Sequence, residues 1–508
     1  MKLTQRLVAL LSVILVCIVG GGLFVLTAEN ARAQTSPVPQ PELTAQIPIN
    51  PSLSVRSTYN PETAFGDFAW KEFVALNWPA DCNGLPLQNK SIGEAPDAPR
   101  VWEFYNVPDD IFLPDGQNPS PVLPIVPPAC QTENTTVQRL GLRLTEAAGE
   151  VAREEKTARL ARAAGTEVEL RTDILLPDRK ALIDQAGNYV VNEIRINPME
   201  VNQIVDNQWY SADNLAEFND TDNPFALVCS NKTPDGIYEG QFPCLENEDV
   251  GAIELKTAWM VLPNPVPDEI KSTYYTTTRT FLVEAASSAN GEEQEVTVPV
   301  ALIGFHIVQK TSQQAWSWAT FEHLDNAPDA GNLPTSGTYN LYNPNCEKKC
   351  KENRPYAKEP YLWRAEFPHA VTLNKKGKIK QQKPSQITRL VPITGTAKSL
   401  NSEWKKALKQ VDKSSIWQNY QLIGTQWLGS PAIPYDLQFR DVQPNRSNKP
   451  SQLANVALEP YVQKTETGSS CIACHTFARL PKPNVVTHAD FSFLINAAEH
   501  PSGGENAE

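Results

Sequence analysis

Methionine and histidine are scarce. The 508 residues hold three Met, at Met1, Met199 and Met260, and six His. Glycine is also sparse, 25 residues against 42 prolines, a balance that disfavours a helical bundle and predicts rigid loops and strand stops. There is no internal repeat, no Gly-rich phosphate loop, no G-x-S-x-G elbow and no H-E-x-x-H helix, so phosphate cradling, α/β-hydrolase and zincin chemistry find no support. Positive charge is in deficit as well. A formal net charge of −13 argues against nucleic acid and anionic membranes as partners.

What is present begins with an export signal. Lys2 and Arg6 precede an apolar run, Leu7–Val19, interrupted only by Ser12; Gly20, Gly21 and Gly22 break it, and Ala31-Arg32-Ala33 offers a small-x-small cleavage site. Residues 1–33 therefore read as a signal peptide, which places the body in a periplasm or an equivalent extracytoplasmic space. Apolar character resumes at Leu23–Leu26, so an uncleaved anchor is the alternative, and membrane contact is expected only in that case. Cys17 leaves with the signal. Of the remaining eight cysteines, Cys82, Cys130, Cys229, Cys244, Cys346 and Cys350 form an even set suited to disulfides in an oxidising compartment. Nearest-neighbour pairing gives Cys82–Cys130, Cys229–Cys244 and Cys346–Cys350, one of 15 possible connectivities.

The expected fold class is α+β: a large β-rich body over 61–445 with peripheral helices, preceded by a Pro-rich tether at 34–60 and followed by a helical segment, 446–508, that docks on the body. Phe68, Ala69, Phe73 and Leu76 share a helical face that Pro79 ends. Leu140–Ala164 predicts a long helix with a charged face at Glu150, Arg153, Glu154 and Glu155. Arg279–Ala285, Glu295–Gln309 and Trp316–His323 predict strands, with turns at Ser288–Glu293 and Thr311–Gln314. Lys375–Lys383 reads as a loop, Trp404–Val411 and Trp417–Tyr420 as helical, and Pro431–Pro450 as irregular.

One motif carries chemistry. Cys471-Ile472-Ala473-Cys474-His475 is C-x-x-C-H. Two thiols three positions apart on one helical turn can reach two vinyl groups along one edge of a porphyrin, and the next imidazole then sits under the iron. The expectation is one covalent haem c held by Cys471 and Cys474 and ligated by His475. A redox dithiol needs no following His, and a zinc half-site wants a second ligand pair. No Met follows His475, so a second axial ligand has to come from the body or from His488. Strand alternation places His306 on the face of Trp316 and Trp318 and His323 on the other. His323 ranks first of the two, because it stands at a strand end beside Glu322. Trp316 and Trp318 are candidates for lining the pocket, His488 for packing at its edge, and His369 and His500 read as surface residues.

Several segments resemble a family of uncharacterised bacterial exported single-haem cytochrome c proteins. They are Trp70-Lys-Glu-Phe73-Val-Ala75-Leu76-Asn77-Trp78-Pro79, Gly304-Phe-His306-Ile-Val-Gln-Lys310-Thr311, Trp316-Ser-Trp318-Ala-Thr320-Phe321-Glu322-His323-Leu-Asp325-Asn326, Tyr420-Gln-Leu-Ile-Gly-Thr425-Gln426-Trp427, Ser470-Cys471-Ile-Ala-Cys474-His475 and Ala489-Asp-Phe-Ser-Phe493. The resemblance implies one integrated haem protein with a C-terminal attachment site, and it brings no defined activity. Electron transfer is the first functional expectation, with an unnamed redox partner protein. A haem-dependent oxidoreductase such as a peroxidase, using an acid such as Glu322, and a haem-based sensor of a ligand or redox state are the alternatives.

Overall fold

Asn60 starts the first helix, α1 (Pro61–Leu76): its side chain accepts the Glu62 N–H at 3.0 Å, and Pro61 supplies the preset φ of a first helical residue. Almost the whole of α1 is buried, so it lies inside the molecule rather than on its rim. The computed structural model describes residues 40–52, 60–122, 125–131, 140–142, 176, 180–230, 244–245, 249–312, 315–346, 350–427, 452–465, 469–482 and 486–501. Val38–Glu508 forms one compact unit.

The core is a seven-stranded sheet built from β1 (Leu140–Leu142), β2 (Val190–Ile196), β3 (Ile253–Val261), β4 (Thr276–Val283), β5 (Gln294–Thr311), β6 (Ala315–His323) and, after the small β7 (Leu362–Trp363), β8 (Ala370–Leu373), β9 (Ile379–Gln381) sheet, β10 (Tyr420–Trp427). The fold is thus α+β and β-rich, as expected. β2, β3, β5, β6 and β10 pair antiparallel in that spatial order, and the first half of β5 pairs with β4, which in turn carries the parallel β1.

The two faces of this sheet hold different chemistry. Phe305 and Phe321, opposite one another on β5 and β6, face α1 and α4 (Gly395–Val411; α2 is Pro198–Asp206 and α3 Asp268–Lys271). Trp70 stacks on Trp404 at 5.7 Å and meets Phe321 edge-on at 5.0 Å, while Phe73 stacks on Phe321 at 4.3 Å. Such pairs contribute about 0.5–1.5 kcal/mol each beyond burial. Farther along, Glu193 is fully buried. Burial would raise its carboxyl, but Arg195 and Arg279 beside it outweigh that and hold it low. The opposite face carries Lys256, His306, Lys310, Trp316, Trp318 and Glu322 by strand alternation. Residues 452–501 cover it. Asn455 donates to Thr320 Oγ1 at 2.8 Å, the Val456 N–H reaches Glu322 at 2.7 Å, and Ala457 lies over Gly304.

The predicted turn Ser288–Glu293 falls between β4 and β5; of the predicted turn Thr311–Gln314, Thr311 instead ends β5, Ser312 follows it, and 313–314 lie outside the described residues. The three disulfides are Cys82–Cys130, Cys229–Cys244 and Cys346–Cys350. Other expectations change. Leu140–Leu142 is a strand paired with β4, not the start of a helix; 143–164 lies outside the described residues, as do 1–39 and 431–450. Ile379–Gln381 adds an edge strand to β8 within the predicted loop 375–383. Within the predicted tether, residues 40–52 carry neither helix nor strand but lie along the body. Leu43, Ala45 and Ile47 alternate between polar neighbours and pack on the core, and Gln309 donates to the Pro48 carbonyl at 2.8 Å. His369 is buried rather than at the surface, stacked on Trp363 at 4.4 Å with Nδ1 on the Arg364 carbonyl.

Candidate functional site

The C-x-x-C-H sequence forms one helical turn, α5 (Cys471–His475), seated on the end of β10. Ser470 caps it by accepting the Ala473 N–H at 3.2 Å, and Gln426 on β10 accepts the Cys471 N–H at 2.7 Å and the Ser470 hydroxyl at 3.3 Å. A single turn is too short to hold itself together. The buried Gln426 side chain and the burial of Ile472 in the apolar cluster that also holds Trp318 and Phe491 therefore fix its place.

His475 is oriented from the far side. Its Nδ1–H donates to the Phe491 carbonyl at 2.7 Å, which leaves Nε2 to present a lone pair. That carbonyl is delivered by a strained turn: Asp490 and Phe491 both have left-handed φ, 50° and 64°, a conformation that costs on the order of 1 kcal/mol or more at each non-glycine residue. The sheet holds the turn in place. Lys310 pairs with the Asp490 carboxylate, Trp316 Nε1 donates to the Asp490 carbonyl at 2.6 Å, and the Leu227 N–H reaches Asp490 Oδ2 at 2.8 Å. Trp318 and Phe493 flank the His475 ring at 6.0 and 5.0 Å between centroids.

These residues suit a covalently held haem better than the alternatives. Cys471 and Cys474 stay out of disulfides while the other six described cysteines pair. Burial pushes both thiols up, Cys474 to about 11 and Cys471 further, the reverse of a reactive dithiol. Among the described residues no three His, Cys, Asp or Glu side chains converge to hold a bare metal ion. Burial lowers His475 to about 4 and keeps the imidazole neutral, the form that ligates iron. The Trp318 indole N–H beside it is buried with no hydrogen-bond partner, a donor still to be satisfied where a porphyrin carboxylate could be received.

The remaining histidines separate cleanly. His323 is on the helix side of the sheet, away from α5. It stacks on Tyr274 at 3.8 Å, meets Tyr420 edge-on, and places Nε2 on the Thr273 carbonyl at 3.1 Å. Burial lowers it to about 3. It is a satisfied core histidine. Its neighbour Glu322 points to the other face and is held by Arg389 and the Val456 N–H. His488 pairs with Asp220 at 2.7 Å, and the exposed His500 with Asp213 at 2.6 Å. His306 faces the α5 side of the sheet, where its Nε2 meets Glu459 Oε1 at 2.9 Å. Sequence reasoning missed Glu459, Lys256, Asp490 and the Phe491 carbonyl. Asp490 and Phe491 stood within the quoted segment Ala489-Asp-Phe-Ser-Phe493 without a role, and nothing local pointed to Glu459 or Lys256, whose place is set only when β3 pairs with β5 and residues 452–501 cover the sheet. Compared with known proteins, the chain matches no family model, no curated protein and no solved structure.

Proposed function

We propose that the chain is an exported c-type cytochrome, with one haem joined by thioethers to Cys471 and Cys474 and ligated by His475, and that it works in electron transfer. The observation that carries this reading is α5 itself: two unpaired thiols one turn apart, followed by an imidazole whose Nδ1 is spent on Phe491. When bound, the haem supplies a one-electron couple. The protein holds the His475 ring by its Nδ1–H, keeps it neutral, and walls it with Trp318 and Phe493. The resemblance to exported single-haem cytochromes belongs to the same proposal.

Three disulfides suit an oxidising compartment, and among the described residues no helix is long and apolar enough to cross a membrane. A periplasmic location is part of the proposal. The peroxidase reading loses its acid, because Glu322 is committed to Arg389 and the Val456 N–H. The test is expression in a host that matures c-type haem. Denatured protein is expected to retain one haem, and Cys471→Ala with Cys474→Ala to retain none. A wild type that sheds all its haem on denaturation refutes the proposal.

A further inference from the structure

One hairpin projects from the body. Residues 373–380, which run from the end of β8 through the following turn into β9, are exposed at every position. The strands beneath them are tied down. Tyr189 Oη donates to the Val371 carbonyl at 3.0 Å, and Gln381 Nε2 reaches the carbonyls of Gly187 and Ala370 at 2.7 Å each. The turn is ordered by its own bonds. The Asn374 N–H donates to the Lys378 carbonyl at 2.8 Å, and the Asn374 side chain accepts the Lys376 and Lys378 N–H groups at 2.8 and 3.1 Å. Gly377 supplies the left-handed φ, 71°, and a Cβ placed there would meet nothing within 4 Å.

Two kinds of side chain meet on this tip. Leu373 and Ile379 are direct cross-strand partners, so they stand side by side on one face, 40% and 49% exposed. Lys375, Lys376, Lys378 and Lys380 flank them, and residues 373–383 hold no acid, in a chain whose net charge is −13. Lysines on an edge strand commonly keep it from pairing with another chain. That accounts for Lys380 on β9 alone. Lys375, Lys376 and Lys378 lie in the turn, and an exposed aliphatic pair beside them works against that purpose.

We infer that this hairpin tip is a docking site for an anionic phospholipid surface. Aliphatic side chains at the end of a rigid projection reach the acyl boundary, and lysine stems lie along apolar surface while their ammonium groups stay with the phosphates. A protein partner suits the tip less well: the cores of protein interfaces are enriched in Arg and aromatic residues and depleted in Lys, and residues 373–380 hold neither of the former. The net negative charge of the molecule does not oppose this contact, because charges farther away than about 8 Å are largely screened at physiological salt. The inference is independent of the haem reading, so protein with and without haem should bind alike.

The test is flotation of the purified full chain with vesicles. Wild type is expected to float with vesicles of equal parts phosphatidylcholine and phosphatidylglycerol at low salt, to stay behind with phosphatidylcholine alone, and to be released by about 0.5 M salt. A lysine near an anionic surface contributes about fivefold to binding, so Lys375→Gln, Lys376→Gln, Lys378→Gln and Lys380→Gln together should weaken it by about a hundredfold or more. Leu373→Ser with Ile379→Ser should also weaken it and leave its salt dependence in place. Residues 1–33 are the same in every variant, so the differences report the hairpin. Should a variant fail to accumulate, wild type decides through lysine acetylation read by mass spectrometry. The four tip lysines should be protected by the anionic vesicles, and the exposed Lys398 and Lys406 of α4 should not. Wild type that ignores anionic vesicles, either variant binding them unchanged, or equal protection of all these lysines overturns the inference. Capture by polyglutamate but not by vesicles also overturns it and points to an acidic protein. Protection of the tip lysines by raised protein concentration alone overturns it in favour of a contact between copies of this chain.

Discussion

Replacing Lys310 with Met tests whether the sheet holds the C-x-x-C-H site together through the Asp490 turn. Lys310 and Asp490 are both fully buried and paired through Asp490 Oδ2, and Asp490 Oδ1 accepts no hydrogen bond. Without the ammonium, Asp490 keeps only the Leu227 N–H on its carboxylate. A buried carboxylate stripped of its counter-charge costs about 3–5 kcal/mol, and taking up a proton instead caps the loss. From the ordinary value of 3.8, neutralising the carboxyl costs about 4 kcal/mol at pH 7 and about 1.6 kcal/mol at pH 5. Both are upper limits, because burial already raises Asp490 beside Lys310. Urea unfolding followed by tryptophan fluorescence should therefore show a loss of several kcal/mol at pH 7 that shrinks by more than half at pH 5. Adding Asp490→Asn should restore most of the pH-dependent part. A loss below about 1 kcal/mol, or one equal at both pH values, refutes the account of the turn. In holoprotein the same variant should raise the midpoint potential, because the Phe491 carbonyl loses its anchor on His475.

Two further predictions concern buried carboxyls away from the site. Burial raises Asp184 to about 7, so the folded state keeps its proton to higher pH than the unfolded chain. Stability should then fall as pH rises from about 4 to about 7 and level off above, by no more than about 4 kcal/mol from this group. Asp184→Asn, which retains an acceptor for the Asn188 N–H, should flatten that slope in thermal unfolding from pH 4 to 8; an unchanged slope assigns it to other groups. Glu72 on α1 is fully buried with neither carboxyl oxygen partnered, and burial holds it well above the carboxylate range. Glu72→Met should stabilise the protein by about 1–3 kcal/mol at pH 7 and by less at pH 5. A destabilised variant would show that the carboxyl has a use in the folded state.

The strands from Arg279 to His323 were legible because β-branched and aromatic residues alternate there and the turns between them are polar. The Leu140–Ala164 reading failed at its first three residues for a physical reason: Leu140–Leu142 gains a strand partner in β4, and composition carries no record of partners distant in sequence. His369 was misread in the same way. Its immediate neighbours look like a loop, but Trp363 folds over its ring.

Amino-acid order alone determined the even set of cysteines and the C-x-x-C-H turn, and it alone carries the expectation of an export signal, because each is a local pattern whose chemistry depends on spacing along the chain. Tertiary structure decided which histidines share a face of the sheet with α5, which carbonyl aims His475, and that a buried lysine–aspartate pair steadies that carbonyl. Those contacts join residues 16 to 180 positions apart. They exist only once β5 and β6 pair and residues 452–501 lie down on one face of the sheet, since the face a strand residue occupies has meaning only when something covers it.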